Sequence, residues 1–165
     1  MPLRTETYTF DAEIDRIDEQ VDQLAEDVAG LDADNPLADQ LTQQAVRLDA
    51  QRRGLTWARD EWDVDEVTLS GLTGGEHARL EDRFTDGGGG PGATRVWKVA
   101  AGTEDAPYVG DDLEDTVALV AELPIAYQKW AFARINELTS VGEGNLSAFE
   151  RSVMEKRHQA ASNAE

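Results

Sequence analysis

The chain has 165 residues, no cysteine, and 34 Asp plus Glu against 15 Lys plus Arg, which gives a net charge of -19. This length predicts one domain with a modest core, and the negative charge disfavours binding to nucleic acid or to anionic membrane surfaces. Without cysteine, the chain has no disulfide, no thiol nucleophile and no thiolate metal site.

The acidic composition is typical of proteins that stay soluble in concentrated salt. Lysine occurs only three times, whereas aspartate is abundant. Short carboxylates hold hydration water, and salt screens their repulsion over very short distances. The composition predicts a halophilic source, a haloarchaeon or something that grows in one; an ordinary acidic protein is the alternative. No stretch approaches the ~20 apolar residues that span a bilayer, so we expect a soluble protein that works in the cytoplasm of a cell or leaves it only as part of a larger particle.

Residues 10–31 have the strongest periodic pattern in the chain. Apolar residues recur at spacings of four and three, as in the seam of a coiled coil, at Phe10, Ile14, Ile17, Val21, Leu24, Val28 and Leu31. After "DADN", Pro36 begins a second predicted helix, with Asn35 as its N-cap. The short connection favours an antiparallel hairpin. A parallel coil between subunits through residues 10–31 is the alternative, because β-branched residues alternate along the seam.

The rest of the chain is predicted to form a small helical domain. Residues 63–86 are interpreted as strand, turn and helix, in which Thr73 and Glu76 form a capping box and Leu80 and Phe84 face inward. A glycine-rich linker is predicted at 87–93. Residues 94–165 are predicted to contain a short strand, "TRVWKVAA", and then helices, the last with a capping box of Ser147 and Glu150. The predicted fold is mainly α: a coiled-coil hairpin at 1–62, followed by this domain with one or two short strands.

The sequence contains no recognisable catalytic, cofactor or metal motif. The glycine run is followed by no Lys-Ser or Lys-Thr pair, as a phosphate-binding loop requires. His77 and His158 lie far apart, outside the spacings of zinc sites, and the acidic stretches lack the spacing of a calcium loop. There is no G-x-S-x-G elbow. We therefore expect a protein that is not an enzyme and that binds neither cofactor nor metal.

Aromatic side chains are the best candidates for contact with a partner. Four tryptophans are many for this length, although most should be core residues. Trp57 and Trp62 lie five residues apart at the end of the second helix, so they do not share one stripe; one is expected to close the hairpin onto the C-terminal helices and the other to contact a partner. The predicted partner-binding residues are Trp57, Trp62, Trp130 and Phe132.

Two segments resemble tail assembly chaperones of tailed viruses. "EVTLSGLTGGEHARLEDRF", residues 66–84, is similar to their strand, "LT-x-GE" turn and amphipathic helix, and "LPIAYQKWAFARINELTS", residues 123–140, is similar to their "LP" plus apolar helix. The first matches at Val67, Leu69, Leu72, Thr73, Gly75, Glu76, Leu80 and Phe84, and the second at Leu123, Pro124, Trp130, Ile135 and Leu138. The stretch from Glu66 to Ser140, which contains both segments, is a little under half of the chain, and their motifs are short.

This resemblance implies a small, mainly helical, non-enzymatic protein that binds the helical tape measure protein and delivers tail tube subunits. Such chaperones are typically absent from the finished particle, and their genes often also produce a longer frameshifted form. The N-terminal coil and the glycine linker depart from their usual pattern. A structural protein of the tail or head-tail junction, or a cellular helical adaptor, is therefore the alternative.

Overall fold

The computed structural model describes residues 4–87, with 84–87 as backbone, residues 90–140, and the isolated positions 153, 156, 157, 159 and 160. In chain order the elements are β1 (Thr5–Thr9), α1 (Phe10–Ala29), α2 (Pro36–Glu61), β2 (Glu66–Ser70), α3 (Gly74–Gly87), α4 (Pro91–Ala101), β3 (Thr103–Asp105), α5 (Leu113–Ala121) and α6 (Ile125–Thr139). The prediction of a mainly α fold with an N-terminal helical hairpin is confirmed, although strand β1 precedes the hairpin.

Helices α1 and α2 lie antiparallel and are joined by a short turn. Asn35 caps α2 as predicted, because its side chain accepts a backbone hydrogen bond from the first turn of the helix. Two ion pairs, Asp11 with Arg59 and Asp18 with Arg52, connect the helices at positions seven residues apart. These pairs are compatible only with the antiparallel register. Of the two arrangements that the sequence allowed, the hairpin within one chain is the one formed.

The three strands form one antiparallel sheet with β2 in the centre. In the β1–β2 pair Tyr8 lies opposite Val67, and the β2–β3 pair has an irregularity between Thr68 and Leu69. β1 was not predicted, because "TETYT" buries only Tyr8 and so lacks the apolar alternation of a half-buried strand. The sheet therefore has three strands where the sequence predicted one or two.

The turn before α3 is the predicted capping box. Glu76 N donates to Thr73 Oγ1 at 3.1 Å, and Thr73 N donates to Glu76 Oε2 at 2.8 Å. Leu80, one turn later, is buried as predicted. The side chain of Phe84 lies outside the described residues, as does the predicted capping box of Ser147 and Glu150.

Replacing Thr73 with alanine should lower the free energy of unfolding by about 1 kcal/mol, because the Glu76 amide loses its acceptor. Chemical denaturation in concentrated salt measures this difference. Thr42→Ala is the matched control: Thr42 is exposed in the middle of α2, where its hydroxyl bonds only to the Ala38 carbonyl, so its loss should have little effect. Equal midpoints for Thr73→Ala and the parent would contradict the assignment.

The predicted strand at 94–101 is wrong, because this segment belongs to helix α4. Pro91 occupies the first helical turn, where its fixed φ favours a helix and its missing N–H has no consequence. Val96, Val99 and Ala100 recur at helical spacing, and the last two are buried. The predicted linker at 87–93 is correspondingly shorter, since its last three residues already belong to α4.

The core lies between the base of the hairpin, the sheet and α6. Gly54 allows α2 to approach α6 very closely, because a Cβ at this position would meet the backbone of Tyr127. This contact places the hairpin base against α6. The largest completely buried side chains are Trp130, Tyr127, Phe10, Ile17, Leu55, Leu69 and Ile135.

Candidate partner-binding surfaces

The outer part of the hairpin carries an apolar surface that the rest of the described chain leaves open. We call it the distal seam; it lies beyond the Asp18–Arg52 ion pair. Between residues 18 and 52 Ala38 is the single buried residue, whereas Phe10, Ile14 and Ile17, nearer to the sheet, are buried. Helices α1 and α2 pack against each other, yet each seam residue is only half-buried. The seam consists of Val21, Leu24, Val28, Leu31, Leu41, Ala45 and Leu48.

The surroundings of the distal seam differ between its two helices. Leu37 borders the seam and is 46% exposed. Val46 is 60% exposed, but it follows Leu37 by nine residues and therefore lies about 180° away around the helix. From residue 18 to residue 50 the sequence has nine acidic residues and one arginine, but none of these acids lies between Asp39 and Asp49 on α2. The seam therefore has an acidic α1 side and a largely uncharged α2 side.

Trp62 connects the hairpin to the C-terminal half of the protein. Its ring centroid lies 5.4 Å from that of Trp57, 5.6 Å from that of Tyr108 and 5.0 Å from that of Tyr127. Aromatic pairs at such distances stabilise a fold by about 0.5–1.5 kcal/mol each. Of the two tryptophans near the end of α2, Trp62 is therefore the one that closes the hairpin onto the C-terminal elements. Both rings are only half-buried.

A groove of about 540 Å³ lies beside the exposed part of Trp62, and we call it the Trp62 groove. It forms where the chain leaves α2 and meets the end of β3. Its apolar lining is Trp62, Val64, Ala106 and Pro107, and its acidic lining is Glu61, Asp63, Glu66 and Asp105. All four acidic residues are exposed. The described lining therefore combines an aromatic wall with four carboxylates and no cationic side chain.

The prediction that Trp130 contacts a partner is wrong, because its side chain is completely buried. Its indole Nε1 donates to Glu13 Oε2 at 2.9 Å, and Arg16 donates two further hydrogen bonds to the same carboxylate. Burial raises the pKa of Glu13, but the hydrogen bonds from Arg16 and Trp130 and the charges of Arg16 and Arg134 outweigh it, so the pKa lies below its usual 4.5. Trp130 therefore joins α6 to α1 through an ionised, buried carboxylate.

Phe132 lies apart from the other predicted residues. It is half-buried on α6, and Lys98 Nζ lies 5.5 Å from its ring centroid. This distance allows a cation–π contact within the protein itself. In the part of the chain that the structure describes, Phe132 makes no ring contact with Trp62 or its neighbours. The structure thus groups Trp57 with Trp62 but separates Phe132 from them.

The buried tyrosines next to Trp62 form a hydrogen-bonded chain. The hydroxyl oxygens of Tyr108 and Tyr127 lie 3.0 Å apart, and that of Tyr108 lies 3.0 Å from Thr103 Oγ1. Burial raises the pKa of Tyr108 to about 12 and that of Tyr127 well above its usual value. Both hydroxyls are consequently neutral over the physiological range, and they satisfy one another inside the core.

Burial of three apolar residues restricts the segment that the predicted self-association through residues 10–31 could use. Phe10, Ile14 and Ile17 are buried in the core, so a coil between subunits has only the part from Val21 to Leu31 available.

Among the described residues, no group of three or more histidine or acidic side chains is placed to hold a metal ion. No described helix combines the length and apolarity needed to cross a membrane.

Part of the Trp62 groove is visible in the sequence and part is not. Glu61 and Asp63 flank Trp62 directly, so an aromatic residue between two acids marks the position. Asp105 and Pro107 are more than forty residues away, in a stretch without periodicity, and only the folded chain brings them close to Trp62.

Comparison of this chain with protein-family models, with curated proteins and with solved structures gave no match.

Proposed function

We propose that this protein is a non-enzymatic assembly factor that binds an amphipathic helix of a partner protein along the distal seam. One observation carries the proposal: seven apolar residues, six on two paired helices and Leu31 in the turn between them, remain only half-buried in the described structure. Amphipathic helices dock into such grooves through residues at i, i+3 or i+4, and i+7. A third helix would complete a small bundle and remove the seam from water.

The energetics of such docking are favourable. Complete burial of a leucine contributes about 1.5–3 kcal/mol relative to full exposure, and half-buried side chains still have a part of this to gain. Several seam residues act together, so their summed contribution can exceed the loss of freedom that association imposes. The body of the protein, joined through Gly54 and Trp62, holds α1 and α2 in one register. The surface is therefore formed before the partner arrives.

The acidic residues around the seam restrict which helices fit. With nine acids and one arginine from residue 18 to residue 50, most of the acids on α1 and in the turn, a partner helix with basic residues on the side that faces α1 is favoured at low salt. In concentrated salt the charge repulsion between these acidic residues and other helices is screened, so the apolar contact determines the affinity. The same carboxylates keep the complex soluble while the apolar stripe of the partner is covered.

We further propose that the partner is the tape measure protein of a tailed virus and that binding takes place in the cytoplasm of the host. The resemblance of residues 66–84 and 123–140 to tail assembly chaperones supports this role, since such chaperones bind a long helical protein. In this structure these residues form β2, α3 and α6, and of these α6 packs against α2 at the hairpin base. They belong to the body that presents the seam rather than to the seam itself.

The sharpest test compares two substitutions on opposite faces of α2. Leu37→Asp places a charge at the edge of the seam, and Val46→Asp makes the same change on the far side of the helix. Co-expression with the tape measure protein of the same genome, followed by affinity measurement in high salt, should show binding weakened about tenfold or more by Leu37→Asp, equivalent to about 1.4 kcal/mol. Val46→Asp should bind as the parent does.

Equal binding by the two variants would contradict docking at the seam. Both replaced side chains are largely exposed, so thermal melting should show intact folds and remove unfolding as an explanation. The viral role has its own test in purified particles: a chaperone should be absent from them, whereas a stoichiometric signal by mass spectrometry would indicate a structural protein of the virion instead.

A further inference from the structure

We propose that the Trp62 groove binds an arginine side chain presented by a segment of another protein. This inference concerns a surface separate from the distal seam and does not depend on helix binding there. The groove joins the half-buried Trp62 to carboxylates from three parts of the chain: the end of α2, the start of β2 and the end of β3. Such a combination fits a ligand that is apolar along its length and positive at its end.

The negative charge of the lining favours a positively charged ligand. Glu61, Asp63, Glu66 and Asp105 surround the groove, and its described lining contains no lysine, arginine or histidine. Like charges around one cavity repel each other, and a cation that enters relieves this repulsion. The nearby Arg59 does not serve this purpose, because it is paired with Asp11 and Asp60.

The spacing of the carboxylates favours an organic cation over a metal ion. Within the described part of the chain no three acidic side chains converge closely enough to hold a metal, and apolar side chains lie among the four carboxylates of the groove. A guanidinium group is broad and planar and carries five donors, so it can bond to separate carboxylates at once. Arginine therefore matches the arrangement better than a compact point charge.

The apolar lining accounts for the rest of an arginine side chain. Trp62 offers a partly exposed ring, the best aromatic partner for a cation, and Val64 is 38% exposed beside it. Pro107 is exposed and adds further apolar surface to the lining. The methylene groups of an arginine would cover these side chains while its charged end reaches the carboxylates.

The test uses a short capped peptide with two arginines and the same peptide with neutral citrulline in their place. Titration calorimetry should show the arginine peptide binding about tenfold or more tightly than the citrulline peptide, with an affinity that falls as salt rises from about 0.1 M to about 1 M. Asp63→Asn/Asp105→Asn should abolish this preference without changing the shape of the groove. Asp22→Asn/Asp32→Asn, which removes two acids from the distal hairpin, should preserve it.

Three outcomes would overturn the proposal. The first is equal affinity for the two peptides, and the second is an equal loss of affinity in both double variants, which would indicate general charge attraction. The third is self-association of the parent that Asp63→Asn/Asp105→Asn removes, which would make a second copy of the chain the occupant. Leu37→Asp should bind the arginine peptide like the parent, so this result is independent of helix binding at the seam.

Discussion

Gly54→Ala should lower the free energy of unfolding by about 2–3 kcal/mol, although alanine is the better helix former. A Cβ at this position would lie 2.4 Å from the backbone nitrogen of Tyr127 and 2.5 Å from the carbonyl carbon of Ala126. Both are backbone atoms, so no side-chain rotation relieves the overlap. The hairpin would have to move away from α6, which would also loosen the contact of Trp62 with Tyr127.

Chemical denaturation of Gly54→Ala measures this loss, and Gly75→Ala is its control. Gly75 also lies in a helix, but its nearest potential contact, Thr73 Oγ1, is 3.9 Å from the added carbon. Alanine at this position should leave the protein at least as stable as the parent, because it reduces the freedom of the unfolded chain. If Gly54→Ala also matched the parent, the close contact of α2 with α6 would not exist in solution.

Glu13→Ala should lower the free energy of unfolding by about 2–3 kcal/mol, because it removes the acceptor of a buried donor. The indole N–H of Trp130 would lose its hydrogen bond inside the core, and Arg16 would lose its carboxylate. Glu13→Gln is the informative partner, since its amide oxygen can still accept from Trp130 while the charge disappears. It should be less damaging than alanine. If the two variants lost the same free energy of unfolding, the effect would come from the charge of Glu13 alone and not from its hydrogen bond with Trp130.

Glu13 should also contribute to instability in acid. Its pKa in the folded protein is lowered relative to the unfolded chain, so the stability that it supplies is fully present above the usual pKa of 4.5 and is lost as the pH falls through the lowered value. Unfolding curves of the parent from about pH 7 down to about pH 3 should include this loss, and those of Glu13→Gln should lack its share. Identical pH profiles would contradict the assignment.

Features that depend on neighbouring residues were predictable from the sequence. The cap of α2 at Asn35 and the box of Thr73 with Glu76 each involve residues within three positions of one another. The short connection between the two helices favoured the hairpin, while the apolar spacing in α1 also allowed a parallel coil between subunits. The spacing of apolar residues, the caps and the turn lengths depend on residues that are close together in the sequence. The structure confirms the fold class that they predict.

Features that depend on distant residues were decided by the tertiary structure. β1 exists because β2 lies beside it, and Trp130 is buried because Glu13, 117 positions earlier, meets its indole. The segment at 94–101 has too few residues to distinguish a strand from a short helix by pattern alone. The Trp62 groove needs the end of α2 and the end of β3 at one place. Local sequence determined the helices and their caps. Which side chains are available to a partner was determined by the packing of segments that are remote in the sequence, because this packing removes apolar surface from water.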